Sequence, residues 1–162
     1  MEAGRMEYVF EEHRLEDILS ELKESFAFAA RSKEVTLTLN FPQDPLPPLK
    51  MDKQKIQEVF SNLMDNAIKY TNKGDVTVTL DQNPVNHRTR VTVKDSGIGI
   101  PASEIPYLFA KFSRGKDINR LHASGTGLGL YVAKNIVEAH KGTIRIESEG
   151  EGKGTSFIVE LG

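Results

Sequence analysis

Residues 60–71 read FSNLMDNAIKYT, and they place Asn62, Asp65 and Asn66 in the middle of a stretch with helical apolar spacing. Asn and Asp are indifferent helix formers, because their side chains compete for the backbone's hydrogen bonds. Something other than helix stability asks for them here. The pattern predicts a helix over about 53–70, with Asp52 as its N-cap and Ile56, Val59, Phe60, Leu63 and Ala67 as its buried stripe. Asn62, Asn66, Lys69, Tyr70 and Lys73 share the other face. An amide carbonyl is a neutral hard oxygen, suited to a Mg²⁺ ion that keeps waters and is neutralised chiefly by phosphates. A lysine meets a phosphate as a point charge. Most polar helix faces are simply solvated, so this stretch alone leaves the choice open.

The whole chain sets outer bounds. Its 162 residues suit one domain with a single core, and 38% hydrophobic with 27% charged residues is an ordinary globular composition. A formal net charge of −2 gives no general reason to expect nucleic acid or an anionic membrane as partner. With no cysteine there is neither disulfide scaffold nor thiolate metal site, and His13, His87, His122 and His140 lack metal-ligand spacing. No apolar run approaches a membrane span, and MEAGRMEY is no signal peptide. The expectation is a cytoplasmic domain without direct membrane contact, monomeric in isolation.

Outward from the central helix, RLEDILSELKESFAFAARSKE carries a helical stripe at Leu15, Ile18, Leu19, Leu22, Phe26 and Ala29. VTLTLNF alternates at Val35, Leu37, Leu39 and Phe41, and FPQDPLPPLK reads as an extended turn. DVTVTLDQ and RVTVKDS, joined by the polar NPVNHR, predict an antiparallel hairpin. From Asp95 to Ser124 the regular pattern fails, apart from a short helical piece in SEIPYLFAKF; such a segment is often a functional lid. GLYVAKNIVEAHK predicts a helix with Gly142 at its C′ position, and GTIRIESE and TSFIVEL predict two strands around GEGKG. Helices interspersed with mainly antiparallel strands, without βαβ repetition, indicate an α+β two-layer sandwich.

Two glycine clusters add chemistry. DSGIGIPA (95–102) directly follows a strand, and SGTGLGL (124–130) opens a helix whose free N–H groups favour phosphate. Either could be a tight turn. No Walker A loop is present, because no Gly-Lys pair is followed by Ser or Thr, and the H-R-D and D-F-G elements of eukaryotic-type kinases are absent. Gly97, Gly99 and Ala102 satisfy G-x-G-x-x-A, but the basic SRGKDINRLHASG follows where a Rossmann unit needs a helix and second strand.

Taken in order, NLMDNAIKYT, DSGIGI, FAKF and GTGLGL resemble the N, G1, F and G2 boxes of sensor histidine kinases, in their catalytic ATP-binding domain. That domain has the Bergerat fold shared by gyrase, Hsp90 and MutL, a mixed, mostly antiparallel sheet covered by helices, and the likeness covers about residues 35–162. The resemblance implies ATP with Mg²⁺ as ligands and ADP as product. It implies that Asn66 ligates Mg²⁺ with Asn62 beside it, that Lys69 contacts phosphate, and that Tyr70 packs against the nucleotide. Asp95 is implied as acceptor of the adenine amino group, with Gly97 and Gly99 passing close to the base, Ile100 lining its pocket and Thr155 near adenine. Gly125, Thr126, Gly127, Leu128 and Gly129 are implied to bring the lid's end and the next helix onto the phosphates. Lid residues Arg114, Lys116 and Arg120 are expected to reach the γ-phosphate, although a solvated loop explains each equally well. Phe109 and Phe112 read as lid anchors or partner packing. Asp65 reads as a brace.

Family members that hydrolyse ATP, and the anti-sigma-type serine kinases, carry a glutamate four residues before the Mg²⁺-binding Asn. Here Asn62 stands there, and an amide is no general base at neutral pH. This favours a histidine kinase over a serine kinase or ATPase; a non-catalytic nucleotide-dependent interaction module is the third reading. EEHRLEDIL around His13 does not match the phosphoacceptor pattern, so the acceptor histidine is expected on a separate dimerisation domain. Residues 1–14 then read as the tail of that dimerisation region and the first strand, and 15–162 as the catalytic domain, with a lid over about 96–124. The implied partners are that dimerisation domain and a response regulator receiver domain. A membrane-anchored parent protein is compatible with the sequence.

Overall fold

The computed structural model describes residues 7–110 and 129–162. In chain order these form β1 (Glu11–His13), α1 (Leu15–Ser32), β2 (Val35–Asn40), β3 (Leu49–Met51), α2 (Lys53–Lys69), β4 (Gly74–Gln82), β5 (Thr89–Asp95), α3 (Gly129–Ala139), β6 (Thr143–Glu147) and β7 (Thr155–Leu161). Five strands make one mixed sheet in the order β2-β4-β5-β7-β6. The β4–β5 hairpin is antiparallel, with Val78 opposite Val93, as the alternation predicts. The β5–β7 and β6–β7 pairs are antiparallel too, whereas β2 runs parallel to β4, with the crossover through α2 between them.

The inward positions Val76, Val78, Leu80, Val91, Val93, Phe157 and Val159 are buried beneath Ile56, Val59, Phe60 and Leu63 of α2 and Ala133, Ile136 and Val137 of α3. α1 adds Leu15, Ile18, Leu19 and Leu22 and packs on both α2 and β2. The architecture is the expected α+β two-layer sandwich, with the helices on one face.

Several local expectations are corrected. Ala29 is exposed and Ala30 is the buried residue of the last turn of α1, because the stripe drifts around a helix of 3.6-residue period. Phe41 lies beyond the end of β2 and is exposed, so it does not continue the alternation. The proline-rich turn ends in a strand, β3, which pairs antiparallel with β1 in a separate two-stranded sheet. The helical piece after Ser103 is a single 3-10 turn, Ile105–Tyr107, with Pro at its start. At the end of α3 the left-handed C′ residue is Lys141 (φ 60°), and Gly142 follows it. Lys141 N–H donates to Glu138 at 2.9 Å and Gly142 N–H to Val137 at 2.9 Å, the paired bonds of a Schellman end. Gly142 is required for another reason, since a Cβ there would run into the Glu160 carbonyl oxygen.

Candidate functional site

Helix α2 is fixed at both ends. The Asp52 side chain accepts from the Lys55 N–H at 3.1 Å, a regular N-cap. At the other end Lys33 Nζ donates to the carbonyls of Ile68 and Lys69 at 2.8 and 2.5 Å, placing a cation at the negative end of the helix. Tyr70 is the C-cap residue, so its ring leaves the helix just past Asn66.

Asp95 ends the central strand β5, opposite Val76 of β4 and Thr155 of β7. It is 7% exposed. Burial pushes its carboxyl up to about 6, only partly offset by the backbone N–H groups of Gly97 and Thr155. The Gly97 N–H donates to Oδ1 at 2.8 Å. A buried carboxylate so placed is a strong acceptor for a donor entering the cleft.

The cleft is lined by Asn66, Tyr70, Asp95, Ile98, Gly99, Ile100, Leu130, Thr155 and Phe157. It holds about 320 Å³ of empty space, counting the part open to solvent. Its walls are apolar and its floor carries one carboxylate, an arrangement that suits a flat heteroaromatic ring with an amino group on its edge.

Among the residues singled out in the sequence, Asn66, Tyr70, Asp95, Gly99, Ile100 and Thr155 meet in this cleft. Asn62 stands one turn earlier on α2, and its Nδ2 donates to the carbonyl of Gly129, the first residue of α3, at 3.3 Å. A carboxylate at that position would face the carbonyl as acceptor against acceptor. Gly129 is not enforced by neighbours, since a Cβ there would make only ordinary contact with Asn62. Lys69 lies outside the cleft lining and pairs with Asp65 at 3.1 Å. Gly97 is likewise not a lining residue. A Cβ on it would strike the Tyr70 carbonyl oxygen, and a Cβ on Gly99 (φ 73°) would strike that of Gly150. Both glycines are therefore demanded by backbone packing. Arg114, Lys116, Arg120, Gly125, Thr126, Gly127 and Leu128 lie outside the described residues, as do Phe112 and His122.

The sequence reading missed Ile98, Leu130 and Phe157. The signal for Phe157 was available, since it stands two residues from Thr155 on the same face of β7. Among the described residues no group of three or more His, Cys, Asp or Glu side chains could hold a metal. A divalent cation here would have to rely on amides and on the ligand's own oxygens, a donor set that Asn66 and Asn62 fit.

Comparison with known proteins gives the family and the fold. The profile described as "Histidine kinase-, DNA gyrase B-, and HSP90-like ATPase" matches residues 51–162. The chain belongs to this family. Within it, the chain is similar to the methyl sulfide methyltransferase-associated sensor of Methanosarcina acetivorans, at 37% identity over 161 residues, covering 98% of this chain and 16% of that protein. It is similar to sensor protein kinase WalK of Staphylococcus aureus at 38% identity over 132 residues, covering 80% of this chain and 31% of that protein. The chain thus spans less than a third of the length of each of these two relatives. The catalytic domain of histidine kinase ThkA, solved nucleotide-free, superposes with TM-score 0.80 at 29% identity, over 96% of this chain and 95% of that one. Full-length ShkA, solved in complex with AMPPNP, shares the fold at TM-score 0.82 and 24% identity, over 96% of this chain and 31% of that one. The histidine-kinase-type ATPase domain has its mixed sheet and three helices in place here. Among the described residues no helix is long and apolar enough to cross a membrane.

Proposed function

We propose that this histidine-kinase-type domain binds Mg²⁺-ATP and donates the γ-phosphate to a histidine on a separate dimerisation domain. The observation that carries the reading is the buried Asp95 carboxylate at the floor of an apolar cleft shared with Asn66. Asp95 accepts a hydrogen bond from the adenine amino group. Guanine, with a carbonyl there, would leave the buried carboxylate unpaired and is disfavoured by about 1–3 kcal/mol. Ile98, Ile100, Leu130 and Phe157 exclude water from the base, and Tyr70 packs beside it.

The polar face of α2 serves the triphosphate. Asn66 and Asn62 would hold Mg²⁺, which supplies charge neutralisation when bound. Lys69 exchanges Asp65 for a phosphate oxygen; an exposed ion pair of this kind is worth well under about 1 kcal/mol and yields readily. With Asn62 in place of a carboxylate and its amide engaged by Gly129, water has no general base at this position. A neutral imidazole is itself nucleophilic and needs less activation. Arg114, Lys116, Arg120 and the glycines from 125 to 129 are proposed to close over the phosphates. In its parent protein the domain works in the cytoplasm, and the phosphohistidine is passed on to a response regulator receiver domain.

The test uses γ-labelled ATP with Mg²⁺, with and without an added dimerisation domain carrying an acceptor histidine. Tight binding, little free phosphate, and acid-labile label on the added domain alone are expected. Rapid phosphate release by the chain alone would overturn the reading of Asn62.

A further inference from the structure

The turn between β6 and β7 contributes no side chain to the cleft apart from Thr155 at its end, yet it is bonded to the cleft's loop along its length. Ser148 is the centre of this contact. Its Oγ donates to the Gly154 carbonyl at 2.7 Å and accepts from the N–H groups of Ile100 at 3.1 Å and Gly150 at 3.3 Å. One donor and two acceptor positions are all that a hydroxyl has, so Ser148 is fully used. Beside it the Gly152 N–H donates to the Ile98 carbonyl at 2.6 Å. Gly154 (φ 75°) rests on the Asp95 backbone so closely that a Cβ would strike the Asp95 carbonyl oxygen.

Both segments tied by this hydroxyl carry the cleft. Ile100 is fully buried and lines it. Gly154 precedes Thr155, whose backbone N–H helps hold the Asp95 carboxylate. From this geometry we infer that Ser148 is a positioning residue for adenine recognition, its hydroxyl setting the distance between the Ile98–Ile100 wall and the Asp95 acceptor. The inference rests on the ATP-binding reading and deepens it. Without the hydroxyl, the buried Ile100 N–H loses its acceptor and the loop must shift to find another. Shape and apolar area barely change, so the effect falls on the hydrogen-bonded edge of the base.

The test compares ATP with inosine triphosphate, which lacks the amino group, on the wild type, Ser148→Ala and Ser148→Thr at neutral pH. Because both nucleotides sample the same folded fraction, the ratio of their dissociation constants is insensitive to a loss of stability. In Ser148→Ala, ATP affinity should fall about tenfold and inosine triphosphate affinity only about twofold, so discrimination shrinks roughly fivefold. Ser148→Thr, which keeps the hydroxyl, should restore the ratio. An unchanged ratio in Ser148→Ala, even with both affinities reduced, would overturn the inference and leave ATP binding standing. A wild type that binds neither nucleotide would remove both.

Discussion

At the scale of single residues, Asp95 sets function against stability. Its carboxyl is pushed from 3.8 up to about 6 in the folded chain, so the folded state holds its proton more tightly than the unfolded state. The resulting stabilisation is complete below about pH 4 and is lost as pH rises through about 6. At neutral pH the ionised group costs on the order of 3 kcal/mol. Asp95→Asn should therefore raise the neutral-pH melting temperature of the nucleotide-free domain, with little gain near pH 4, while adenine nucleotide binding collapses. In the wild type, a base that donates to the carboxylate needs it ionised. ATP affinity should then weaken toward tenfold per pH unit below about 6, with proton release on binding near that pH, readable by calorimetry in buffers of different ionisation heat. Asn66→Ala should remove the Mg²⁺ dependence of ATP binding, and equal affinities with and without Mg²⁺ in both proteins would take Asn66 out of the metal site. The sequence marked Asn66 and Asp95 through residue type and motif order. It left Ser148 unmarked, because a serine in a turn is ordinary and its partner Ile100 lies 48 positions away.

At the scale of elements, α2 and α3 present the site at one end and are joined at the other. The Asp52 N–H donates to His140 Nε2 at 3.0 Å, while His140 Nδ1 bonds the Ile136 carbonyl at 2.8 Å, which defines the neutral Nδ1–H tautomer in this arrangement. The Asp52 carboxylate accepts from Val9 N–H at 2.8 Å as well as from Lys55. Burial pushes this carboxyl up, but those two amides and the Lys55 charge hold it below its ordinary value. A depressed carboxyl stabilises the fold above its unfolded-state value of 3.8, and that contribution is lost as pH falls through the depressed one. Asp52→Ala should cost about 1–2 kcal/mol in urea unfolding at pH 7, the range for a lost N-cap, and its difference from the wild type should narrow below about pH 4. The cap could be read from Asp52 preceding an apolar-periodic run. His140 could not, since its bond to Asp52 spans 88 positions.

At the scale of the whole molecule, the segment before α1 is bound to the domain. β1 pairs with β3, Arg14 Nη2 donates to the Leu46 carbonyl at 3.0 Å, and the Tyr8 and Phe10 rings stack 5.8 Å apart, with Phe10 4.9 Å from the His140 ring. Deleting residues 1–10 should lower the melting temperature by several degrees, since about 2 kcal/mol of ring packing and the Val9–Asp52 bond are lost. An unchanged melt would make this segment a mere tail. The same partition runs through the fold. Amphipathic helices, the β4–β5 hairpin and the ordered motifs were determined by the sequence itself, because periodicity and turn chemistry are properties of neighbouring residues. The β1–β3 pair, the parallel placement of β2 beside β4, the apolar walls of the cleft and the ties through Ser148 and His140 were decided only by the tertiary structure. Each joins groups far apart in the chain, and nothing local distinguishes a serine or histidine that will meet such a partner from one that will face water.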